Sequence, residues 1–179
     1  MLGVVLLYVG IVLINNGIAR ITNIDAKSAA VMNVFVGLLS ITINIITIVH
    51  GDFQAMNDIG DFYSAATGLL FGFTYLFVAV NSIFNLDPRL YGWYSLFVAI
   101  NSVPAAYIEY FVNGDWRMAV IWILWGILWL TGFIENVLKK HLSFVPYLAI
   151  FEGIVTAWIP GFMILTAITL SSFIASTSP

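Results

Sequence analysis

The stretch Trp116–Asn136, WRMAVIWILWGILWLTGFIEN, decides the fold, because after its first two residues it stays uncharged as far as Glu135. A run of this length and hydropathy is about what a helix needs to cross a bilayer. The stretch carries four of the six tryptophans, and on a helix Trp122, Trp125 and Trp129 fall on one stripe. Such a stripe suits a small, flat, uncharged solute, and it is also a common way for helices to pack.

The composition of the whole chain is that of a polytopic membrane protein. Of its 179 residues, 61% are hydrophobic and only 8% are charged, and the mean hydropathy is +1.02. Too few polar side chains remain to cover the surface of a soluble domain. The small net charge of −3 argues against nucleic acid as a partner. The absence of cysteine excludes disulfides, thiolate metal sites and cysteine nucleophiles.

Six stretches are long and apolar enough to be spans, which require roughly 20 residues each. They lie at about 2–19, 28–49, 62–86, 90–110, 117–138 and 146–170. The sequence therefore predicts an all-α integral membrane protein with six transmembrane helices, residues 1–179 forming a single domain. The first span lacks the basic start of a cleavable signal, so we expect it to stay in the membrane. Because the connections are short, consecutive helices should be antiparallel neighbours.

The positive charges predict the orientation. The first, third and fifth loops carry five of the six basic residues, Arg20, Lys27, Arg89, Lys139 and Lys140, and only Arg117 lies on the other side. Short loops rich in lysine and arginine stay in the cytoplasm. We therefore expect both the N and the C terminus to lie outside.

The chain also repeats itself weakly, since LFVAVNSI at Leu76–Ile83 recurs as LFVAINSV at Leu96–Val103. A two-helix hairpin present in three copies would explain this, and internal repeats are common in transport proteins. Chance similarity between apolar segments is the alternative.

Residues for catalysis are missing. No lysine lies inside a span, the two histidines lie at loop edges, and no glycine-rich loop could cradle a phosphate. The sequence therefore predicts no catalytic residue, no metal site and no cofactor, and the chain is not expected to be an enzyme.

Two acids, Glu135 and Glu152, fall well inside predicted spans, toward the cytoplasmic half. A charge at the centre of a bilayer costs about 3 kcal/mol on insertion scales, so such residues usually face a pore or a partner. At similar depth the two could border one vestibule. Alternatively each is held by a neighbouring polar group and locks two helices together, and a cation-coupled transporter would also use such acids.

Two further stripes accompany the tryptophans. On the first helix the stripe consists of Leu2, Leu6, Val9 and Leu13, and on the third helix Phe71 and Tyr75 share a face. Ordinary packing is one explanation. If the three stripes face one another, they form a narrow apolar slot that passes a thin planar molecule and refuses hydrated ions, which would lose their hydration without replacement ligands.

Several long motifs carry a family resemblance. They are MLGVVLLYVGIVLINNG at the start, ATGLLFGFTYL at Ala66–Leu76, WYSLFVAIN at Trp93–Asn101, and WGILWLTGFIEN with FEGIVTAWIP toward the end. From Met1 to about Gly161 the chain resembles the AmiS/UreI family of urea and short-chain amide channels, and its opening resembles the urea channels more.

The resemblance implies a twisted six-helix bundle of three hairpins, assembled as a homohexamer with lipid at its centre in the bacterial inner membrane. It also implies passive entry of urea for a cytoplasmic urease. The family's pore-lining positions fall on Leu2, Leu6, Leu13, Phe71, Tyr75, Trp125 and Trp129, with the acid of the last helix at Glu152. We expect the aromatic slot to stack on urea while Tyr75, Thr74 or an indole N–H bonds its polar edges. Whether urease docks on Lys139–His141 stays open.

One departure from the family concerns acid gating. Acid-gated members carry longer, histidine-rich outer loops, whereas the outer loops here are short, at about 51–61 and 109–116, with only His50 at an edge. Histidine is the natural sensor between pH 5 and 8. We expect a channel that is open at neutral pH, or one gated only weakly through His50, Asp52, Asp58, Asp61, Glu109 and Asp115. The alternatives are an acetamide-type amide channel, a proton-coupled transporter that depends on Glu135 and Glu152, and a membrane adaptor that transports nothing.

Overall fold

The structure, a computed structural model, describes residues 2–51 and 60–166, and these residues form helices joined by short loops. The helices are α1 (Leu2–Thr22), α2 (Ala26–His50), α3 (Asp61–Phe84), α4 (Arg89–Phe111), α5 (Trp116–Asn136), α6 (Val145–Glu152), a π-helical segment (Gly153–Trp158) and α7 (Ile159–Thr166). The last three are continuous, and we call them together the last helix. A helix occupies each of the six predicted stretches, and the predicted end at residue 170 lies outside the described residues.

Capping residues explain where several helices begin and end. The carboxylate of Asp25 accepts the N–H of Lys27 at 2.7 Å and opens α2. At the end of α3, Asn85 takes the left-handed conformation with φ of 52°, which asparagine tolerates better than most residues. These residues satisfy backbone groups that the ends of the helices leave without partners.

Among the residues that the structure describes, five helices are long and apolar enough to cross a membrane, namely α1, α2, α3, α5 and the last helix. The remaining long helix, α4, contains Arg89, Glu109 and four tyrosines, which lower its mean hydropathy. Many large apolar side chains point outward, as expected of a surface that meets lipid. Phe35, Leu90 and Ile100 are examples, each more than 60% exposed. The protein is therefore a multi-pass membrane protein.

The helices pack as three close pairs: α2 with α3, α4 with α5, and α1 with the last helix. The sequence predicts contact between all consecutive helices. In the structure, contacts between α3 and α4 and between α5 and α6 are sparse. The first helix, α1, packs instead against the last helix. Each close pair is thus separated from the next by a looser seam, which leaves room for a cavity.

Glycines explain which helices pair. A side chain at Gly10 would meet the backbone N of Trp158 at 2.8 Å and the carbonyl O of Gly153 at 2.9 Å. Gly68 faces the side chain of Asn44 between α2 and α3, and Gly126 faces that of Ser102 between α4 and α5. Small residues let helix backbones approach closely in membranes.

The π-helical segment Gly153–Trp158 interrupts the last helix where it packs against α1. The sequence analysis treats this region as one uninterrupted span. A π-helical turn accommodates an extra residue and is often found at functional sites. Here it coincides with the close approach of Gly153 to Gly10, whose carbonyl O lies 2.8 Å from the position of a Gly153 Cβ.

The two ends of the bundle differ in charge. The basic end carries the connections α1–α2, α3–α4 and α5–α6, and with them Arg20, Lys27, Arg89, Lys139 and Lys140. The acidic end carries the connections α2–α3 and α4–α5.

Candidate functional site

Four aromatic rings form one buried layer inside the bundle. The ring of Phe71 on α3 lies 4.8 Å from that of Trp125, 4.8 Å from that of Trp129 and 6.0 Å from that of Trp122, measured between centroids. Trp122 and Trp125 meet edge to face at 5.2 Å. All four side chains are buried. We call these four residues the aromatic layer.

The aliphatic stripe of α1 packs into the same core. Leu6, Val9 and Leu13 are buried together with the aromatic layer and with Tyr75 of α3. Leu2 was predicted to belong to this stripe, but it is 50% exposed and does not join the buried cluster. It is the first residue of α1.

A cavity of about 640 Å³ extends from the aromatic layer toward the basic end. Phe71, Trp125 and Trp129 line it together with Leu13, whereas Leu6, Val9 and Trp122 are buried without lining it. The cavity therefore ends at the aromatic layer, and Leu6, Val9 and Trp122 belong to the same buried apolar cluster without reaching the cavity.

Two asparagines on the cavity wall pair reciprocally. Asn16 Nδ2 donates to Asn33 Oδ1 at 3.0 Å, and Asn33 Nδ2 donates to Asn16 Oδ1 at 2.7 Å, which joins α1 to α2. Sequence reasoning did not assign Asn33 to the site. The sequence feature that could have identified Asn33 is an amide within an apolar run. Such a group needs a hydrogen-bond partner when it is buried.

At the basic end, an ion pair lies in the cavity wall. Arg20 of α1 donates to Glu135 Oε1 of α5 at 2.8 Å, and the backbone N–H of Leu142 donates to the same oxygen at 3.2 Å. His141 Nδ1 is 3.9 Å away and pairs with Glu135 only when it is protonated. Glu135 lines the cavity as expected for a vestibule residue, and its charge is compensated by Arg20.

Glu152, unlike Glu135, does not line the cavity. Its side chain is fully buried, neither carboxyl oxygen has a hydrogen-bond partner among the described residues, and it is not part of the cavity wall. The predicted arrangement, in which Glu135 and Glu152 border one vestibule, is therefore not found. The last helix turns Glu152 into the protein interior, while Val145 and Ala149 of the same helix face the cavity.

The two indole N–H groups in the cavity wall are already bonded. Trp125 Nε1 donates to Thr156 Oγ1 at 2.9 Å, and Trp129 Nε1 donates to Thr74 Oγ1 at 3.1 Å. Of the groups expected to bond the edges of a solute, Thr74 and the indole of Trp129 therefore bond each other, and the indole of Trp125 bonds Thr156. Thr156, on the last helix, was not predicted, because nothing in the sequence pairs it with a tryptophan 31 positions earlier.

The candidate pH-sensing residues lie at the acidic end, as far as the structure describes them. His50 ends α2 and Asp61 begins α3, whereas Asp52 and Asp58 lie outside the described residues. Two further candidates have structural partners. Asp115 accepts the N–H groups of two residues in the first turn of α5, and Glu109 Oε2 accepts Asn113 Nδ2 at 2.9 Å.

At the basic end, Asp87 pairs with Arg89 two residues later. Hydrogen bonds from Arg89 lower the pKa of Asp87 to about 2. A lowered pKa means that the interaction is present at higher pH and is lost only as the pH falls toward about 2. Asp87 therefore stays ionised between pH 5 and 8 and does not act as a switch in that range.

We predict that Glu135→Ala speeds tryptic cleavage after Lys139 and Lys140 by roughly threefold, the scale of a weak ion pair. The loss of Glu135 Oε1 frees the N–H of Leu142 in the loop 137–144 and removes the ion pair between α5 and Arg20 of α1. The measurement is limited proteolysis followed by mass spectrometry of the fragments. Asp87→Ala is the matched control, because it breaks an ion pair between near neighbours that ties no second helix. Equal cleavage rates in the two variants would contradict the prediction.

Comparison with known proteins identifies relatives over nearly the whole chain. The family model described as AmiS/UreI family transporter matches residues 1–168. The acid-activated urea channel of Helicobacter pylori (strain J99 / ATCC 700824) is 52% identical over 190 residues, covering 92% of this chain and 97% of the relative. A cryoEM structure of the Helicobacter pylori urea channel in a closed state is 54% identical, with a TM-score of 0.84, covering 93% of this chain and 98% of that one. A putative amidate substrates transporter protein of Mycolicibacterium smegmatis is 36% identical, covering 92% of this chain and 76% of the relative.

Proposed function

Because this chain belongs to the AmiS/UreI transporter family, we propose that it is a passive urea channel of the bacterial inner membrane. The observation that carries the proposal is the buried aromatic layer at the end of a cavity with polar groups in its wall. Flat apolar rings accept the face of a thin planar solute, and they offer a hydrated ion nothing in exchange for its water. The close relatives that are urea channels support urea as that solute.

We propose further that all six long helices cross the membrane and that both termini lie outside. The excess of basic residues in the loops at the basic end supports this orientation. With it, the cavity opens to the cytoplasm, where a urease would consume the urea. The homohexamer and a functional link to urease rest on the family resemblance alone.

Passive transport fits the charges along the pathway. The acid in the cavity wall, Glu135, is paired with Arg20 rather than free to carry protons. The proton-coupled alternative needs both Glu135 and Glu152, and the ion pair with Arg20 does not suit Glu135 to that role. Under that alternative Glu135→Gln and Glu152→Gln would abolish concentrative uptake, whereas a passive channel shows no concentrative uptake to abolish.

The proposal is tested by stopped-flow light scattering of proteoliposomes in a urea gradient. Vesicles containing the protein should equilibrate urea severalfold faster than empty vesicles. Equal rates would reject the channel and favour a membrane adaptor. Running the assay with acetamide as well decides the second candidate, a short-chain amide channel, which is favoured by the 36% identity to the putative amidate transporter. Faster equilibration of acetamide than of urea would establish that second function.

We predict that urea flux changes by less than about twofold between pH 7.5 and pH 5, because one histidine at the outer face supplies little switching energy. The chain has two histidines in all, and the other, His141, lies at the basic end. The alignment with the acid-activated relative spans 190 positions, whereas this chain has 179 residues. The alignment therefore contains gaps in this chain, as shorter loops would produce. The measurement is the same flux assay at the two pH values. A severalfold rise at pH 5 that His50→Ala abolishes would overturn the prediction.

A further inference from the structure

We infer that Thr156 and Thr74 are positioning residues, which hold the indoles of Trp125 and Trp129 in fixed orientations and thereby set the size of solute that the aromatic layer passes. This inference deepens the proposed function and rests on it. It follows from the hydrogen bonds of the two threonines, from their places on two different helices, and from the packing around the rings.

Each threonine hydroxyl is committed as a donor to its own helix. Thr156 Oγ1 donates to the carbonyl O of Glu152 at 2.6 Å, and Thr74 Oγ1 donates to that of Leu70 at 2.7 Å. Since a hydroxyl has one hydrogen to donate, each oxygen can only accept from any further partner. Thr156 Oγ1 accepts the indole N–H of Trp125 at 2.9 Å, and Thr74 Oγ1 accepts that of Trp129 at 3.1 Å.

The two bonds hold the aromatic layer from different sides. Trp125 and Trp129 both project from α5, but Thr156 lies on the last helix and Thr74 on α3. Phe71 precedes Thr74 by about one turn of α3, and its ring contacts both indoles at 4.8 Å. Neither threonine belongs to a helix that packs extensively on α5, so the bonds cross the seams between helix pairs.

Burial makes these bonds a constraint on the ring orientation. Thr156 is 1% exposed and Thr74 is 6% exposed, and the surrounding core consists of Leu6, Val9 and other apolar side chains. An indole that turned away from its threonine would leave a buried N–H without an acceptor, which is unfavourable in such surroundings. The preferred orientation of each ring is therefore the one that its threonine accepts.

The π-helical segment determines where Thr156 points. Thr156 lies within this segment, which accommodates an extra residue relative to an α-helix. A change of one residue rotates the position of a side chain by about 100° around the axis. The irregularity in the last helix therefore contributes to bringing the hydroxyl of Thr156 to Trp125.

Valine is the informative substitution, because it keeps the branched shape of threonine and removes the hydroxyl. We expect Thr156→Val and Thr74→Val each to lower the ratio of urea to thiourea permeation by about fivefold, the change that corresponds to a hydrogen bond of ordinary strength. Thiourea is a planar analogue whose sulfur is larger than the oxygen of urea. Thr156→Ser and Thr74→Ser keep the hydroxyl and should restore the ratio.

A matched control is available on α2. Thr47 is partly buried and its hydroxyl donates to the carbonyl O of Ile43 at 3.0 Å, but it does not line the cavity. Thr47→Val therefore removes a hydroxyl of the same kind at a distance from the aromatic layer. It should leave both the flux of urea and the ratio of urea to thiourea unchanged.

A spectroscopic measurement separates ring positioning from general damage. In ultraviolet resonance Raman spectra of the purified full-length protein, the indole N–H band should shift toward the non-bonded position in Thr156→Val and not in Thr156→Ser. In a Trp125→Phe background, Thr156→Val should produce no further shift. If Thr156→Val does not yield folded protein, Thr74→Val with Trp129→Phe provides the same comparison.

The outcomes distinguish the two claims. An unchanged permeation ratio and an unchanged N–H band in the valine variants would overturn the positioning roles, even if the wild-type protein passes urea. A wild-type protein that passes neither solute would reject the proposed channel. The Raman comparison would then still decide whether the threonines hold the rings.

Discussion

The Trp125→Ala variant is expected to lose most of its discrimination between urea and thiourea, by at least about tenfold, while still folding. The indole of Trp125 is 3% exposed and contacts the rings of Phe71 and Trp122. Its removal takes away the ring at the end of the cavity and the N–H that Thr156 Oγ1 accepts. Truncating a buried tryptophan typically costs about 3–5 kcal/mol of stability, so assembly has to be checked separately.

The measurement is the flux assay with both solutes, combined with size-exclusion chromatography of the purified variant. Trp116→Ala is the control on the same helix, because that side chain is 59% exposed and its ring meets the guanidinium of Arg117 at 5.7 Å, away from the aromatic layer. It should leave discrimination intact. Unchanged discrimination in Trp125→Ala, with normal assembly, would show that the aromatic layer does not select the solute.

The second large effect is expected at the interface between α1 and the last helix, where Gly10→Leu should prevent formation of a stable bundle. A side chain at this position meets Cβ of Trp158 at 2.7 Å and the carbonyl O of Gly153 at 2.9 Å. Backbone atoms of a packed helix cannot move aside as the end of a flexible side chain can. Overpacking by single methylenes already costs about 1–3 kcal/mol, and leucine adds a full branched side chain.

Gly10→Leu should therefore elute as aggregate in size-exclusion chromatography and lose its cooperative thermal transition. Ile11→Leu is the matched control, since Ile11 is the next residue of α1 and is 38% exposed. That variant should behave as the wild type does. A monodisperse Gly10→Leu protein with an unchanged melting temperature would contradict the packing described here.

Periodicity predicted the faces of the helices well and their partners poorly. The spacing of Trp122, Trp125 and Trp129 placed them on one stripe, and the structure buries all three beside Phe71. The same reasoning included Leu2, which is the first residue of α1 and is exposed. Spacing along a helix specifies which residues share a side, but it does not say which other helix lies opposite that side.

The spacing of residues along one helix could not predict polar partners that lie far apart in the chain. Glu135 was recognised as an unusual acid, but its partner Arg20 lies 115 positions earlier and had been assigned to a loop. Glu152 was also recognised, and the structure places it away from the cavity, because the last helix presents other residues there. The π-helical segment has no sequence pattern that distinguishes it from an ordinary span, and it coincides with a contact to Gly10, which is distant in the chain.

The pairing of α1 with the last helix has a consequence for biosynthesis. A ribosome delivers α1 first, and the helix that covers its glycines emerges last. Until the last helix has been synthesised, the glycine face of α1 therefore lacks the partner that covers it in the folded bundle. The contacts between α1 and the last helix can form only after both have been synthesised, so we expect a chain truncated before Val145 to lack a closed bundle.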